Sequence, residues 1–299
     1  MSNMNDAMGL RMRYGNTNTN GQFDTEYDPT SATVWGFMNP KGNPCFSLAL
    51  LKEIREHDAA LEANGGVITV EGRAPGAYNL GGDLGLFMLL IKAHDRTALG
   101  RYAEKCIDNL YARITHYGSP TLTTISLVQG DALGGGFECA LSSDVIVAEE
   151  SAQMGLPEIM FNLFPGMGAY QLLTRRIGVR AAEQLILSGR VLPARKLHEM
   201  GVVDVLAKDG QGESAVQQWV AANHRRHNGM QAVFGLRQLC NPVSRRELDA
   251  VAQSWVDAAL RLTERDQRLM GWLMRAQQDR AVSRDAGEAA EAAPVAVNA

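Results

Sequence analysis

Gln129-Gly130-Asp131-Ala132-Leu133-Gly134-Gly135-Gly136-Phe137-Glu138 is the stretch that decides the fold. Thr123, Ile125, Leu127 and Val128 just before it predict a strand, which ends in Gly130-Asp131; a helix then opens at Gly134. Glycines at such a junction let the backbone turn tightly and let a ligand approach bare N–H groups at a helix start. Those N–H groups lack intrahelical acceptors and sit at the positive end of the dipole, so they suit a negative oxygen. The loop matches neither the GxxxxGK[ST] nor the GxGxxG nucleotide pattern, and simple packing of helix on strand is the plain alternative.

Two other stretches have a related character. Tyr78-Asn79-Leu80-Gly81-Gly82-Asp83 is a second loop that opens a helix, so two such loops can aim two backbone N–H groups at one oxygen. Met154-Gly155-Leu156-Pro157-Glu158 follows, with Phe164-Pro165-Gly166-Met167-Gly168 shortly after. Glu158 stands among Met154, Leu156, Ile159, Met160 and Phe161. It is either an acid on a loop edge or one held in a pocket, where desolvation raises its pKa and fits it for proton transfer near neutrality. Glu138, one turn into its helix, carries the same two alternatives.

Strands alternate with helices around these loops. Strands are expected at 33–38, 67–70, 123–128 and 145–148. Ser47 caps a helix reaching about Ala63, and helical patterns cover 83–95 and 97–116, with Leu84 to Ile91 read as a buried helix face. From Gly168 onward helices dominate, at 168–177, 180–188, 193–200, 214–226, 230–239 and 244–279. The order implies an α/β core with a helical C-terminal extension. The divisions expected are a flexible segment 1–30, a core 31–205, a helical region 206–280 and a disordered tail 281–299.

The chain has 299 residues, 45% of them hydrophobic and 21% charged, with a net charge of −4. That composition provides for a real core and gives no basic footprint for nucleic acid; the run His224-Arg225-Arg226-His227 reads as a solvated helix end. Cys45, Cys106, Cys139 and Cys240 are far apart, without metal spacing, and read as buried, reduced thiols. No metal or bound organic cofactor is expected. Neither a signal-type apolar segment nor a run of about 20 apolar residues occurs, which points to a cytoplasmic protein without a membrane span.

LVQGDALGGGFECALSSDVIVAEESAQMGLPE (127–158) and FPGMGAYQLLTRRIG (164–178) together resemble the enoyl-CoA hydratase/isomerase, or crotonase, superfamily over roughly 31–280. Hydratases of that family carry two glutamates 20 positions apart, as Glu138 and Glu158 are here. The resemblance implies ββα repeats forming a spiral core, with C-terminal helices that build a homotrimer or a dimer of trimers. It further implies that the N–H groups of Gly82 and Gly135 form an oxyanion hole, and that Glu138 and Glu158 are the acid–base pair acting on C2 and C3 of an acyl thioester. Leu86, Phe87, Met88, Leu156, Met160, Met167 and Trp255 are candidates for an acyl tunnel, against a plain core role.

Some positions depart from the usual pattern: Phe137 and Cys139 flank the first glutamate, Leu80-Gly81-Gly82-Asp83 replaces Ala-Gly-Ala-Asp, and Gly168-Ala169-Tyr170-Gln171 replaces Gly-Gly-Thr-Gln. The strings YNLGGDLGLF, LVQGDALGGGFE, MGLPEIMFNLFPGMGAY and SWVDAAL look like the synthases of diffusible signal factor. That narrower resemblance implies dehydration of a 3-hydroxyacyl chain on acyl carrier protein to a cis-2 double bond, then thioester cleavage. It also implies a sensor-kinase receiver domain as a regulatory partner, which a non-catalytic binding role would share. A conventional hydratase or isomerase acting on coenzyme A thioesters is the other enzymatic reading.

Overall fold

The computed structural model describes residues 12–13, 21–62, 67–72 and 76–276. The tail at 281–299, the helix end at 277–279 and most of the segment 1–30 lie outside these.

The chain is built from a repeated strand–strand–helix unit. β1 (Met12–Arg13) and β2 (Phe23–Asp28) are antiparallel, and β2 pairs in the same sense with β3 (Thr33–Met38). Eight residues expected in a flexible N-terminus therefore belong to the main sheet; Phe23 is buried and supplies an apolar contact that anchors β2. After β3 comes α1 (Leu48–Glu62), whose N-terminus is capped by Ser47 Oγ accepting from the Leu50 N–H at 3.1 Å.

β4 (Val67–Gly72) is followed by β5 (Ala77–Asn79), α2 (Leu84–Lys92) and α3 (Arg96–Ile114). β6 (Thr123–Val128), β7 (Asp131–Leu133) and α4 (Gly135–Leu141) repeat the unit. β8 (Val145–Glu149) and β9 (Gln153–Gly155) repeat it again, with a 3-10 turn, Pro157–Phe161, before α5 (Ala169–Ile177). The first strand of each of these three units joins a seven-stranded sheet, in the order β1-β2-β3-β4-β6-β8-β11, where β11 is Val205–Ala207. The second joins a four-stranded sheet, in the order β10-β9-β7-β5, where β10 is Val191–Pro193.

Alternation explains how the large sheet is covered on both faces. Val34 and Met38 of β3 and Ile146 and Ala148 of β8 join the main core, which holds α1, α3 and α4. Their neighbours Trp35, Phe37, Val145 and Val147 point the other way, with Ile125 and Leu127 of β6. That second face is covered by Val216 and Val220 of α8 (Gly212–Asn223) and Phe234 of α9 (His227–Cys240). α6 (Val179–Ser188) and α7 (Ala194–Glu199) complete the middle of the chain. β11 spans the expected division at 205/206 and pairs with β8, so the large sheet crosses that boundary.

The helix expected over 244–279 is two helices. α10 (Arg245–Ala259) ends, and α11 begins at 264 and is described as far as 276. Thr263 and Asp266 cap α11 reciprocally: Asp266 Oδ2 accepts from the Thr263 N–H at 2.9 Å, and Thr263 Oγ1 accepts from the Asp266 N–H at 3.3 Å. His224–Arg226 is an exposed 3-10 turn. Two further expectations are corrected. Cys240 is exposed rather than buried, because it lies on the outer face of α9. Leu89 is 68% exposed, so the Leu84–Ile91 stretch is buried only through Phe87 and Ile91. No described helix is long and apolar enough to cross a membrane.

Candidate active site

The small sheet assembles the site. β5, β7 and β9 are neighbouring parallel strands, so three loops leave their C-terminal ends side by side. The first loop carries Gly82, the second Gly134 and Gly135, and the third Glu158. Residues more than 70 positions apart in sequence meet because each occupies the same place in its own repeat.

Close backbone approach fixes the glycines. A Cβ at Gly136 would collide with the backbone of Asn79, so α4 can lie against the end of β5 only without a side chain there. Gly134 has φ +52°, its N–H donates to the Gly155 carbonyl at 2.9 Å, and a Cβ on it would strike Glu158 Oε1. Gly135 is the first residue of α4, where the N–H has no intrahelical acceptor. A Cβ there would lie 3.6 Å from the Gly82 nitrogen and 2.8 Å from Met167 Sδ. The two loop nitrogens therefore border one small space.

Asn79 and Tyr102 hold the Gly82 loop. Asn79 Oδ1 accepts from the Gly81 N–H at 2.8 Å. The Tyr102 hydroxyl donates to the Phe46 carbonyl at 2.5 Å and accepts from the Asp83 N–H at 3.2 Å. Asp83 in turn caps α2, its Oδ1 accepting from the Leu86 N–H at 3.0 Å. Phe87 packs edge-on against both Tyr102 and Trp255, with ring centroids 4.9 Å apart in each pair.

Both glutamates line the same pocket, together with Gly82, Gly134 and Gly135. Glu138 is 1% exposed, and its Oε1 accepts from the N–H groups of Met167 at 2.8 Å and Ala169 at 2.9 Å. Burial pushes its carboxyl up to about 7, against the opposing pull of those backbone donors. Burial, and then the nearby charge of Glu138, push Glu158 up to about 8. Glu158 Oε2 is buried without a hydrogen-bond partner among the described residues. One proton shared between two buried carboxyls near neutrality is the equipment of an acid–base pair.

Of the acyl-tunnel candidates, Phe87, Met167 and Trp255 line this pocket. Leu156 lies in the core, and Met160 is 57% exposed on the far side of its 3-10 turn. Leu86 and Met88 pack half-buried against the core edge, because α2 turns Leu84 and Phe87 toward the pocket instead. Sequence reasoning missed Tyr102, Ala103 and Cys106 on α3 and Phe161 and Leu163 on the Glu158 loop. The α3 residues repeat at helical spacing, which separates one face from another but does not tell a pocket face from a core face. Among the described residues no group of three or more His, Cys, Asp or Glu is placed to hold a metal ion.

A segment of 193 residues, 64% of this chain, is 33% identical to the mitochondrial methylglutaconyl-CoA hydratase of Rattus norvegicus and spans 59% of that protein's length. The solved structure of DspI from Pseudomonas aeruginosa is 25% identical, with a TM-score of 0.63 over 73% of this chain and 86% of that one. An enoyl-CoA hydratase from Bacillus halodurans is 18% identical and shares the fold, with a TM-score of 0.74 over 84% of this chain and 100% of that one. The sequence pattern of the Enoyl-CoA hydratase/isomerase family extends over residues 30–265, taking in every loop that meets at the pocket, and the chain belongs to that family.

Proposed function

We propose that this protein dehydrates a 3-hydroxyacyl thioester to a cis-2-enoyl thioester and then cleaves the thioester, releasing a cis-2-unsaturated fatty acid. The observation that carries the acid–base part is the pair of buried glutamates facing one pocket beside two converging backbone nitrogens. The thioester oxygen sits between the N–H groups of Gly82 and Gly135, which stabilise the charge that develops when C2 loses its proton. One glutamate takes that proton, and the other protonates the departing 3-hydroxyl as the C3–O bond breaks. Attack of a water on the thioester carbonyl, its proton passing to the ionised glutamate, would then use the same two N–H donors for the tetrahedral oxyanion, whose collapse breaks the C–S bond and releases the protonated thiol of the carrier.

The strings around 78–87 and 154–170 support the cis-2-enoic acid reading. The 33% identity to methylglutaconyl-CoA hydratase supports the second reading, a conventional hydratase of coenzyme A thioesters. The test is product analysis by chromatography and mass spectrometry after supplying a 3-hydroxyacyl group on acyl carrier protein, with the coenzyme A thioester in parallel. A free cis-2-enoic acid is the expected product. Only a trans-2-enoyl thioester, in equilibrium with its hydrate, would replace the proposal with the conventional one. Regulation by a sensor-kinase receiver domain is a separate proposal, carried by the resemblance alone. A pull-down with purified receiver domain that captures nothing would remove it.

A further inference from the structure

Gly81 is the pivot of the first loop of the site. Its φ of +95° lies in the left-handed region, and a Cβ on it would stand 2.8 Å from the Leu133 carbonyl oxygen and 2.9 Å from the Gly135 nitrogen. Conformation and space both require glycine there, and glycine is the residue least able to hold its own torsions. The peptides on either side of it must be held by other groups.

Each has a partner. The Phe46 N–H donates to the Gly81 carbonyl at 2.8 Å. That peptide is trans, so the Gly82 N–H at its other edge points away from Phe46, and Gly82 lines the reacting pocket. On the other side, the Gly81 N–H donates to Asn79 Oδ1 at 2.8 Å. A donor facing the side chain fixes which end of the amide is oxygen.

The other end of that amide is poorly served. Asn79 is fully buried, and its Nδ2 meets the Met38 sulfur at 3.8 Å, a weak acceptor. Burying an amide with so weak a partner costs stability that an apolar side chain of the same size would not. Packing alone does not account for an asparagine at this position, whereas the bond to Gly81 does. The Asn79 backbone also lies against Gly136, next to Gly135, so one residue touches both loops.

We propose that Asn79 is a positioning residue for the two oxyanion-stabilising donors: by holding the Gly81 N–H, it keeps the Gly82 N–H aimed beside that of Gly135. Asn79 does not line the pocket, so it acts through the backbone. The role rests on the acyl-thioester reading above but not on the cis geometry or on thioester cleavage.

Three variants test it. Asn79→Leu keeps the size and removes the acceptor, Asn79→Ala removes both, and Asn79→Ser restores a shorter acceptor that can bond the N–H two residues on. The readouts are kcat and KM for hydration of trans-2-butenoyl-CoA, the affinity for butanoyl-CoA, and the pH midpoint at which bound acetoacetyl-CoA ionises to its enolate, followed by near-ultraviolet absorbance. The enolate oxygen takes the place of the oxyanion, whereas butanoyl-CoA carries no charge there. Asn79→Leu is expected to lower kcat about 10-fold or more and to raise the enolate midpoint by about one pH unit, with KM and butanoyl-CoA affinity within about twofold of wild type. Asn79→Ser should recover part of both losses. If Asn79→Leu does not fold, Asn79→Ala carries the same expectation. An unchanged kcat in the variant without an acceptor, a fall in kcat with the enolate midpoint unmoved, or no recovery in Asn79→Ser overturns the positioning role. Wild-type protein that neither hydrates trans-2-butenoyl-CoA nor binds acetoacetyl-CoA as its enolate would sink the acyl-thioester reading itself, and the role of Asn79 with it.

Discussion

Glu138 and Glu158 carry their carboxyls at about 7 and about 8 because the site denies them water. The competent pair holds one proton. Below about 7 both groups are protonated and no base is left; above about 8 both are ionised and no acid is left. A bell-shaped pH profile of kcat/KM with its maximum between those values is the expected result. The same shifts carry a stability cost. A carboxyl whose pKa is raised by folding destabilises the fold as pH climbs from its unfolded value toward its folded one. Glu138→Gln, which keeps an acceptor for Met167 and Ala169, should therefore be inactive yet about 2 to 3 kcal/mol more stable than wild type at pH 8 by denaturant unfolding. Tyr102 is a positioning residue in this account. Tyr102→Phe keeps the ring against Phe87 and loses the link between Phe46 and Asp83, so kcat should fall about 10-fold with KM nearly unchanged. A change in KM alone would show that the hydroxyl serves substrate binding instead.

At the scale of elements, the site depends on three strand ends coming level. The glycines were legible in sequence because a strand running into Gly134-Gly135-Gly136 and a helix has few other physical uses. β5, β7, β9 and β10 were not legible, since each has three residues and none shows a full period of alternation. Yet those strands place Gly82, Gly135 and Glu158 together. The break between α10 and α11 did have a local mark, Thr263-x-x-Asp266, hidden inside a continuous apolar pattern. Gly135→Ala tests this scale. The added Cβ would press on Met167 Sδ, the end of a flexible side chain, and stand beside the Gly82 nitrogen. The fold should persist, with an unchanged circular dichroism spectrum, while kcat falls about 100-fold or more.

For the whole molecule, apolar side chains outside the core mark where copies can meet. Val179 and Leu187 of α6, Tyr170 of α5 and Met160 of the Glu158 turn are 55%, 66%, 45% and 57% exposed. The Tyr170 hydroxyl donates to Glu183 at 3.0 Å, between Val179 and Leu187 on the same helix face, so these groups form one surface behind the Glu158 turn. Met160, read from sequence as a tunnel residue, belongs to this surface, because a local apolar run does not reveal which side of a turn each residue takes. Light scattering is expected to give the mass of a homotrimer or twice that, and a monomeric mass would contradict it.

Proton exchange at C2 of an acyl thioester is the step that needs both the buried glutamates and the two backbone N–H groups. Washout of the C2 hydrogen of a saturated acyl-CoA into deuterated water, followed by mass spectrometry, reads that step without requiring dehydration or hydrolysis. Wild-type protein should exchange the hydrogen, and Glu138→Gln and Glu158→Gln should leave Gly82 and Gly135 in place, with at least one of the two slowing exchange by about 100-fold or more. Exchange at the wild-type rate in both variants, or none in the wild type, would contradict the account.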